Sequence, residues 1–212
     1  MVKEALSIEK MFSDNDYKGH ETADGFIRER GNKSILILAT HSVRSMIDGG
    51  TTEPERFTGA MAILLARLSD ASSITKITLG EDIDLIKDSK FKSYTISFTK
   101  MNKIRYIINI RGIDSDDFID IETANGLNVS EVPMDSILRN LNNRGIHKVY
   151  RNGPLLKATS ESVLDACRNQ CRSQIMQIGV GRSYRDIDNE NNWDNFERLM
   201  LALSVFLDDL NS

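Results

Sequence analysis

Residues 34–40 form a nearly unbroken apolar run between Gly31-Asn32 and His41-Ser42, the pattern of a strand buried on both faces of a parallel sheet. The run delivers His41 into a polar, glycine-bearing loop. Beyond that loop Phe57, Met61, Leu64, Leu65 and Leu68 recur at helical spacing and predict an amphipathic helix ending near Ser69. Strand-like residues 74–79, a helix within 84–100 and strand-like residues 104–110 continue the alternation, although 94–99 alternates as a strand would. Residues 118–122 then read as a short strand and Asn125-Gly126 as a turn. Ser130 is placed to cap a helix carrying Ile137, Leu138 and Leu141, which Asn143 to Gly145 end. Residues 147–151 form another short strand, Ser160 precedes a helix with Val163, Leu164 and Cys167, and 173–180 is the last clear strand. Trp193, Phe196, Met200, Leu203 and Leu207 mark a closing helix. Five or six strands alternating with helices predict a three-layer α/β/α domain over 31–212 with a mostly parallel central sheet. Residues 1–30, polar and without clear period, read as an N-terminal arm or extension.

A length of 212 residues and 40% hydrophobic content fit one such domain. The net charge of −4 is spread along the chain without a basic block, so neither nucleic acid nor an anionic membrane is an expected partner. No window approaches roughly 18 consecutive apolar residues, and the first twenty lack the apolar core of a signal peptide, which leads us to expect a cytoplasmic protein. Cys167 and Cys171, four apart on a helical segment, are expected as reduced thiols on one helix face. Nucleophile-elbow, phosphate-loop and dinucleotide glycine motifs are absent, and the acidic run 114–117 lacks the glycine and terminal glutamate of a calcium loop.

Sheets of this kind gather ligands at the carboxyl ends of their strands, and it is there that a family pattern emerges. The stretch ATHSVRSMIDGGTTEPERFTGAMAILLARL, the preceding HETADGF, and the later DDFIDIETANGLN and IMQIGVGRSYRD resemble, in order, N-formylglutamate amidohydrolase-like proteins. The resemblance spans roughly residues 20–205. It implies a zinc-carboxypeptidase-like α/β/α fold and, for active members, metal-assisted hydrolysis of an amide C–N bond in a small acidic substrate. Carried over by position, it makes His41 the first metal ligand and Glu55 the acidic one.

Two departures follow from the same comparison. Where active relatives resemble Asp-Leu-His-Gly, this chain has Asn109-Ile110-Arg111-Gly112, so a histidine ligand becomes a permanent cation. Where relatives resemble Gln-Leu-Glu-Ile, it has Gln177-Ile178-Gly179-Val180, and the carboxylate that would activate water is missing. Catalytic zinc takes about three protein ligands and an open water position. At most two remain, so no cofactor is expected, with zinc implied only for an active enzyme and His41 as its catalytic group.

Each residue also has a plainer role: His41 as a hydrogen-bonded structural histidine, Glu55 as an acid favouring a helix N-terminus, and Arg111 as a fork of donors pairing with Glu55 or Asp48. The resulting expectation is a catalytically degenerate protein with a cleft lined by His41, Arg44, Glu55, Arg111, Glu122, Gly179, Arg182 and Arg185. Arg44, Arg111, Glu122, Arg182 and Arg185 would bind a carboxylate-bearing ligand or a peptide or protein partner, an active paralogous subunit being one such partner. The alternative is an active amide hydrolase with a rearranged metal site.

Overall fold

The computed structural model describes residues 1–20, 24–125, 133–152 and 162–210. Its helices are α1 (Val2–Ser13), α2 (Thr58–Leu68), α3 (Lys90–Met101), α4 (Met134–Asn143), α5 (Val163–Gln170), α6 (Arg182–Arg185) and α7 (Trp193–Asp209). Its strands are β1 (Phe26–Glu29), β2 (Ile35–Ala39), β3 (Ser45–Ile47), β4 (Gly50–Thr51), β5 (Ser72–Lys76), β6 (Gly80–Glu81), β7 (Tyr106–Gly112), β8 (Ile119–Asn125), β9 (Val149–Arg151) and β10 (Gln174–Val180). Seven strands form the central sheet in the order β1-β5-β2-β7-β10-β8-β9. β5, β2, β7 and β10 run parallel, as the buried apolar runs lead one to expect. β1 and β8 enter antiparallel to their neighbours β5 and β10, which makes the sheet mixed at its flanks. The loop after β2 is itself structured, β3 pairing with β4 and β6 in a small second sheet.

Two apolar layers enclose the sheet. Side chains of α1, α2, α4 and α7 share one core with Ile35, Ile37, Ile108, Ile110, Met176 and Ile178. On the other face α3 and α5 pack on Leu36, Leu38, Ile107 and Ile175. The α/β/α layering is therefore present.

Several local expectations are corrected. Residues 1–20 and 24–30 are not an arm: α1 buries Val2, Ala5, Ile8 and Phe12 in the main core, and β1 edges the sheet. The helical period of α1 is masked in the sequence because Glu9, an acid, also points inward. α2 is not amphipathic, since Thr58 to Ala66 are all buried between the sheet and α1 and α7. The alternating stretch 94–99 lies in α3, where Phe91, Thr95 and Phe98 face the core at helical spacing and the Ser89 side chain accepts from the Lys92 N–H as N-cap. The strand expected at 74–79 is β5, which starts two residues and ends three residues earlier. The caps expected at Ser130 and Ser160, and the turn at Gly126, lie outside the described residues; Pro133 precedes α4 and Ser162 caps α5. Cys167 and Cys171 are free and buried.

Candidate functional site

The parallel strands end together, and the register places their terminal side chains in rows on the face shared with α3 and α5. One row runs Ile74, Leu38, Asn109, Gln177, Glu122 across β5, β2, β7, β10 and β8. Its polar half is a ladder: Asn109 Nδ2 donates to Gln177 Oε1 at 2.9 Å, and Gln177 Nε2 donates to Glu122 Oε2 at 3.2 Å. Two residues further along the strands stand Lys76, Arg111, Gly179 and Asp120, the last three paired across the sheet. Gly179 contributes no side chain between Arg111 and Asp120.

Arg111 grips Glu55 with two nitrogens. Nε lies 2.9 and 3.0 Å from the two carboxylate oxygens and Nη2 donates to Oε1 at 2.7 Å, while the Gly112 N–H donates to Oε2 at 2.7 Å. The Glu55 N–H in turn donates to the His41 carbonyl at 2.8 Å, so the loop before α2 is tied back to the end of β2. Burial alone would raise the Glu55 pKa, but the charge of Arg111, then His41, and the hydrogen bonds from Arg111 and Gly112 outweigh it and hold the carboxyl below its ordinary value. Arg111 is likewise held above its ordinary value: Glu55 and Asp84 overcome the burial that would lower it. Arg185 stands behind the pair. A Cβ on Gly112 would lie 3.0 Å from the Arg185 guanidinium and from the Glu55 Cβ, so a side chain there would press both by a few tenths of an ångström.

His41 is bracketed by two acids not anticipated from the sequence. Its Nε2 lies 3.2 Å from Asp82 Oδ1, and its Nδ1 lies 2.8 Å from Thr40 Oγ1 and 3.7 Å from Asp84 Oδ2. Asp82 Oδ1 also accepts from the Asp84 N–H at 2.9 Å, and Asp84 Oδ1 accepts from the Val163 N–H at the start of α5 at 2.8 Å. Asp84 Oδ2 is 3.6 Å from Arg111 Nη1, which joins the two halves of the site. Burial pushes Asp82 up, but the hydrogen bond and charge of His41, the Asp84 N–H and Lys76 overcome it and hold the acid at about 2. Lys76, 3% exposed, donates to Ser45 Oγ at 2.5 Å; burial lowers its pKa to about 8, against the pull of Asp82 and Asp84. The sequence shows only an Asp-Ile-Asp triplet at 82–84, and nothing in it sets these acids beside the histidine.

The donor sets decide where a metal fits. At the position implied by resemblance, His41, Glu55 and Arg111, a divalent ion does not fit, because both oxygens of Glu55 are engaged and a guanidinium fills the third place. His41, Asp82 and Asp84 are of the right chemical type, with one donor atom from each lying within 4.8 Å of the others. Arg111 and Lys76 already supply positive charge beside that cluster.

The remaining expected residues separate. Arg44 Nη1 donates to Glu53 at 2.6 Å and its Nε to the Asp16 carbonyl at 3.0 Å. Arg182 pairs with Asp114. Arg185, 8% exposed, donates to the carbonyls of Val180 and Arg56 at 3.0 and 3.1 Å. The structure thus brings His41, Glu55, Arg111 and Arg185 together with Asp82, Asp84 and Lys76. Glu122 stands one row inward, and Arg44 and Arg182 lie in networks of their own.

Solved structures share this architecture. The chain is similar to N-formylglutamate amidohydrolase from Ralstonia eutropha JMP134, with a TM-score of 0.59 and 12% identity, 88% of this chain and 98% of that one being covered. It is also similar to zinc-free YNDL, with a TM-score of 0.57, 14% identity and coverage of 91% and 94%. A third relative in fold is the gene product Atu2144 from Agrobacterium tumefaciens, with a TM-score of 0.55, 12% identity and coverage of 88% and 93%. At such identities the likeness is one of fold. No family model matches the sequence, and no curated protein matches it. Among the described residues no helix is long and apolar enough to cross a membrane.

Proposed function

Taking the amidohydrolase-like fold as its premise, we propose that this chain is a catalytically degenerate member of that structural group, acting by binding rather than by hydrolysis. The observation that carries the proposal is the Arg111 guanidinium bonded to both oxygens of Glu55. Metal-assisted amide hydrolysis needs a cation with an open position for water and a base within hydrogen-bond reach of that water. Here the permanent charge of Arg111 neutralises Glu55 internally, and Gly179 offers no carboxylate. The ligand class we assign is a carboxylate-bearing small molecule or peptide, or a protein partner such as an active paralogous subunit. A ligand carboxylate would have to share Arg111 with Glu55, since Arg44 and Arg182 are paired elsewhere and Arg185 serves backbone carbonyls.

A second reading rests on the cluster of His41, Asp82 and Asp84. In that reading the three side chains hold zinc, which supplies a Lewis acid for amide cleavage, and the chain is an active hydrolase. Protein purified without chelator separates the two. We expect zinc well below one equivalent by elemental analysis, and no hydrolysis of N-formylglutamate above a His41→Ala control. Stoichiometric zinc that is lost in Asp82→Asn, or turnover that is lost in His41→Ala, would overturn the proposal in favour of the hydrolase.

A further inference from the structure

At the opposite edge of the sheet from His41, where β7 and β10 begin, α3 and α5 end side by side. Between them lies a cavity of about 440 Å³ bordered by Lys100, Lys103, Arg105 and Arg172, with Cys171 and Ser173 in its wall. Ser173 and Cys171 are buried while the four cations are exposed, so the pocket has a closed floor and a charged rim. Its size falls within the usual range of small-molecule sites. The rim is fixed to the sheet: Ser173 Oγ donates to the Ile104 carbonyl at 2.8 Å, and the Gln174 N–H donates to the Arg105 carbonyl at 2.8 Å.

What singles the pocket out is that, among the described residues, four cations border one cavity with no acid in its lining. The chain as a whole carries −4, and Arg44, Arg67, Arg111 and Arg182 pair with Glu53, Glu29, Glu55 and Asp114. Among the described residues none of the four rim cations is ion-paired. The Arg105 guanidinium lies over the Tyr106 ring and donates to its hydroxyl, and Asp165, the acid on α5, is matched to Arg168. The plain explanation is that cations favour helix C-termini. Each helix end contributes only about half an elementary negative charge, so the ends of α3 and α5 account for about one of the four.

We infer that this pocket is a binding site for a small organic anion carrying two linked phosphate groups. Two phosphates bring roughly three to four negative charges at neutral pH, which matches the charge left uncompensated. The inference is independent of the proposed function, since the pocket shares no residue with the His41 site.

Isothermal titration calorimetry of the full chain with inorganic pyrophosphate, and separately with inorganic phosphate, tests it. Saturable binding of pyrophosphate is expected, with phosphate binding more weakly. Lys103→Glu/Arg172→Glu should weaken pyrophosphate by at least about tenfold. Lys3→Glu/Lys87→Glu, which changes net charge equally at exposed positions far from the cavity, should leave the affinity within about twofold. Amide chemical shifts on the unmutated chain provide a readout that does not depend on a variant folding, with changes expected at 99–105 and 170–173. The absence of saturable binding, an equal loss in both double variants, or shift changes centred on Lys76 and Arg111 would each overturn the assignment.

Discussion

Arg111 and Glu55 are each mostly removed from water, with 22% and 17% of their side chains exposed, and each is the other's principal neutralising partner. Breaking such a pair from one side is costlier than removing both charges, because the survivor stays buried. Arg111→Met should therefore cost about 3–5 kcal/mol in urea unfolding. Arg111→Met/Glu55→Gln should recover a substantial part, since the side-chain amide introduced in place of the carboxylate would still offer an oxygen to the Gly112 N–H. A double variant as unstable as the sum of the two single ones would show that the charges are not coupled. This pair was half legible in the sequence, which placed Arg111 at the sheet's carboxyl edge with Glu55 or Asp48 as its partner; the structure selects Glu55. Asp82 and Asp84 were not legible. Their approach to His41 depends on the path of the chain after β5 through β6, and nothing in local spacing encodes that path. The expected gathering of arginines failed because Arg44 and Arg182 each found an acid elsewhere: Arg44 met Glu53 within its own loop, a partner reached at little conformational cost, and Arg182 met Asp114 in the neighbouring loop after β7.

Among the elements, those with long single-purpose patterns were the readable ones. β2, β7, β10 and α7 follow from apolar period alone, whereas α1 and α3 carry inward polar residues, Glu9 and Thr95, that blur theirs. The close packing of α1 on α2 was also hidden, because it turns on one hydrogen atom. A Cβ on Gly59 would lie 2.6 to 2.8 Å from three ring carbons of Phe12, whose side chain is fully buried. Helix propensity favours alanine over glycine by at most about 1 kcal/mol, while overpacking of a core costs about 1–3 kcal/mol. The ring has no solvent to move into, so the clash should win. Gly59→Ala is expected to be destabilising in urea unfolding, and Phe12→Leu in the same chain should relieve part of the loss. A Gly59→Ala chain more stable than the parent would mean that α1 shifts freely over α2.

At the scale of the molecule, Glu9 is where α1, the segment after it and the start of α2 are fastened together. Its Oε1 accepts from the Tyr17 hydroxyl at 2.9 Å and from the Phe57 N–H at 2.8 Å, Phe57 being the left-handed residue at φ 66° that opens α2. Tyr17 is also bonded by Arg56, which pairs with Asp188. Burial raises the Glu9 pKa to about 7 from an ordinary 4.5, more than the hydrogen bonds of Phe57 and Tyr17 and the charge of Arg56 lower it. The native state therefore holds the proton more tightly than the unfolded chain does. Below about pH 4.5 both states are protonated and Glu9 exacts no penalty; between 4.5 and 7 the unfolded chain releases the proton first, and stability falls as pH rises. Above 7 the loss is complete, on the order of 3 kcal/mol for a shift of this size. Glu55 and Asp82 act in the opposite sense, their depressed pKa values withdrawing stability only as the medium becomes strongly acidic. For these three groups together the optimum lies on the mildly acidic side of neutrality. Glu9→Gln keeps an oxygen for the Phe57 N–H without the titration, so its melting temperature should change less between pH 5 and 8, and its advantage over the parent should grow with pH. Parallel profiles for the two proteins would assign the pH dependence to another group and free Glu9 from any role in it.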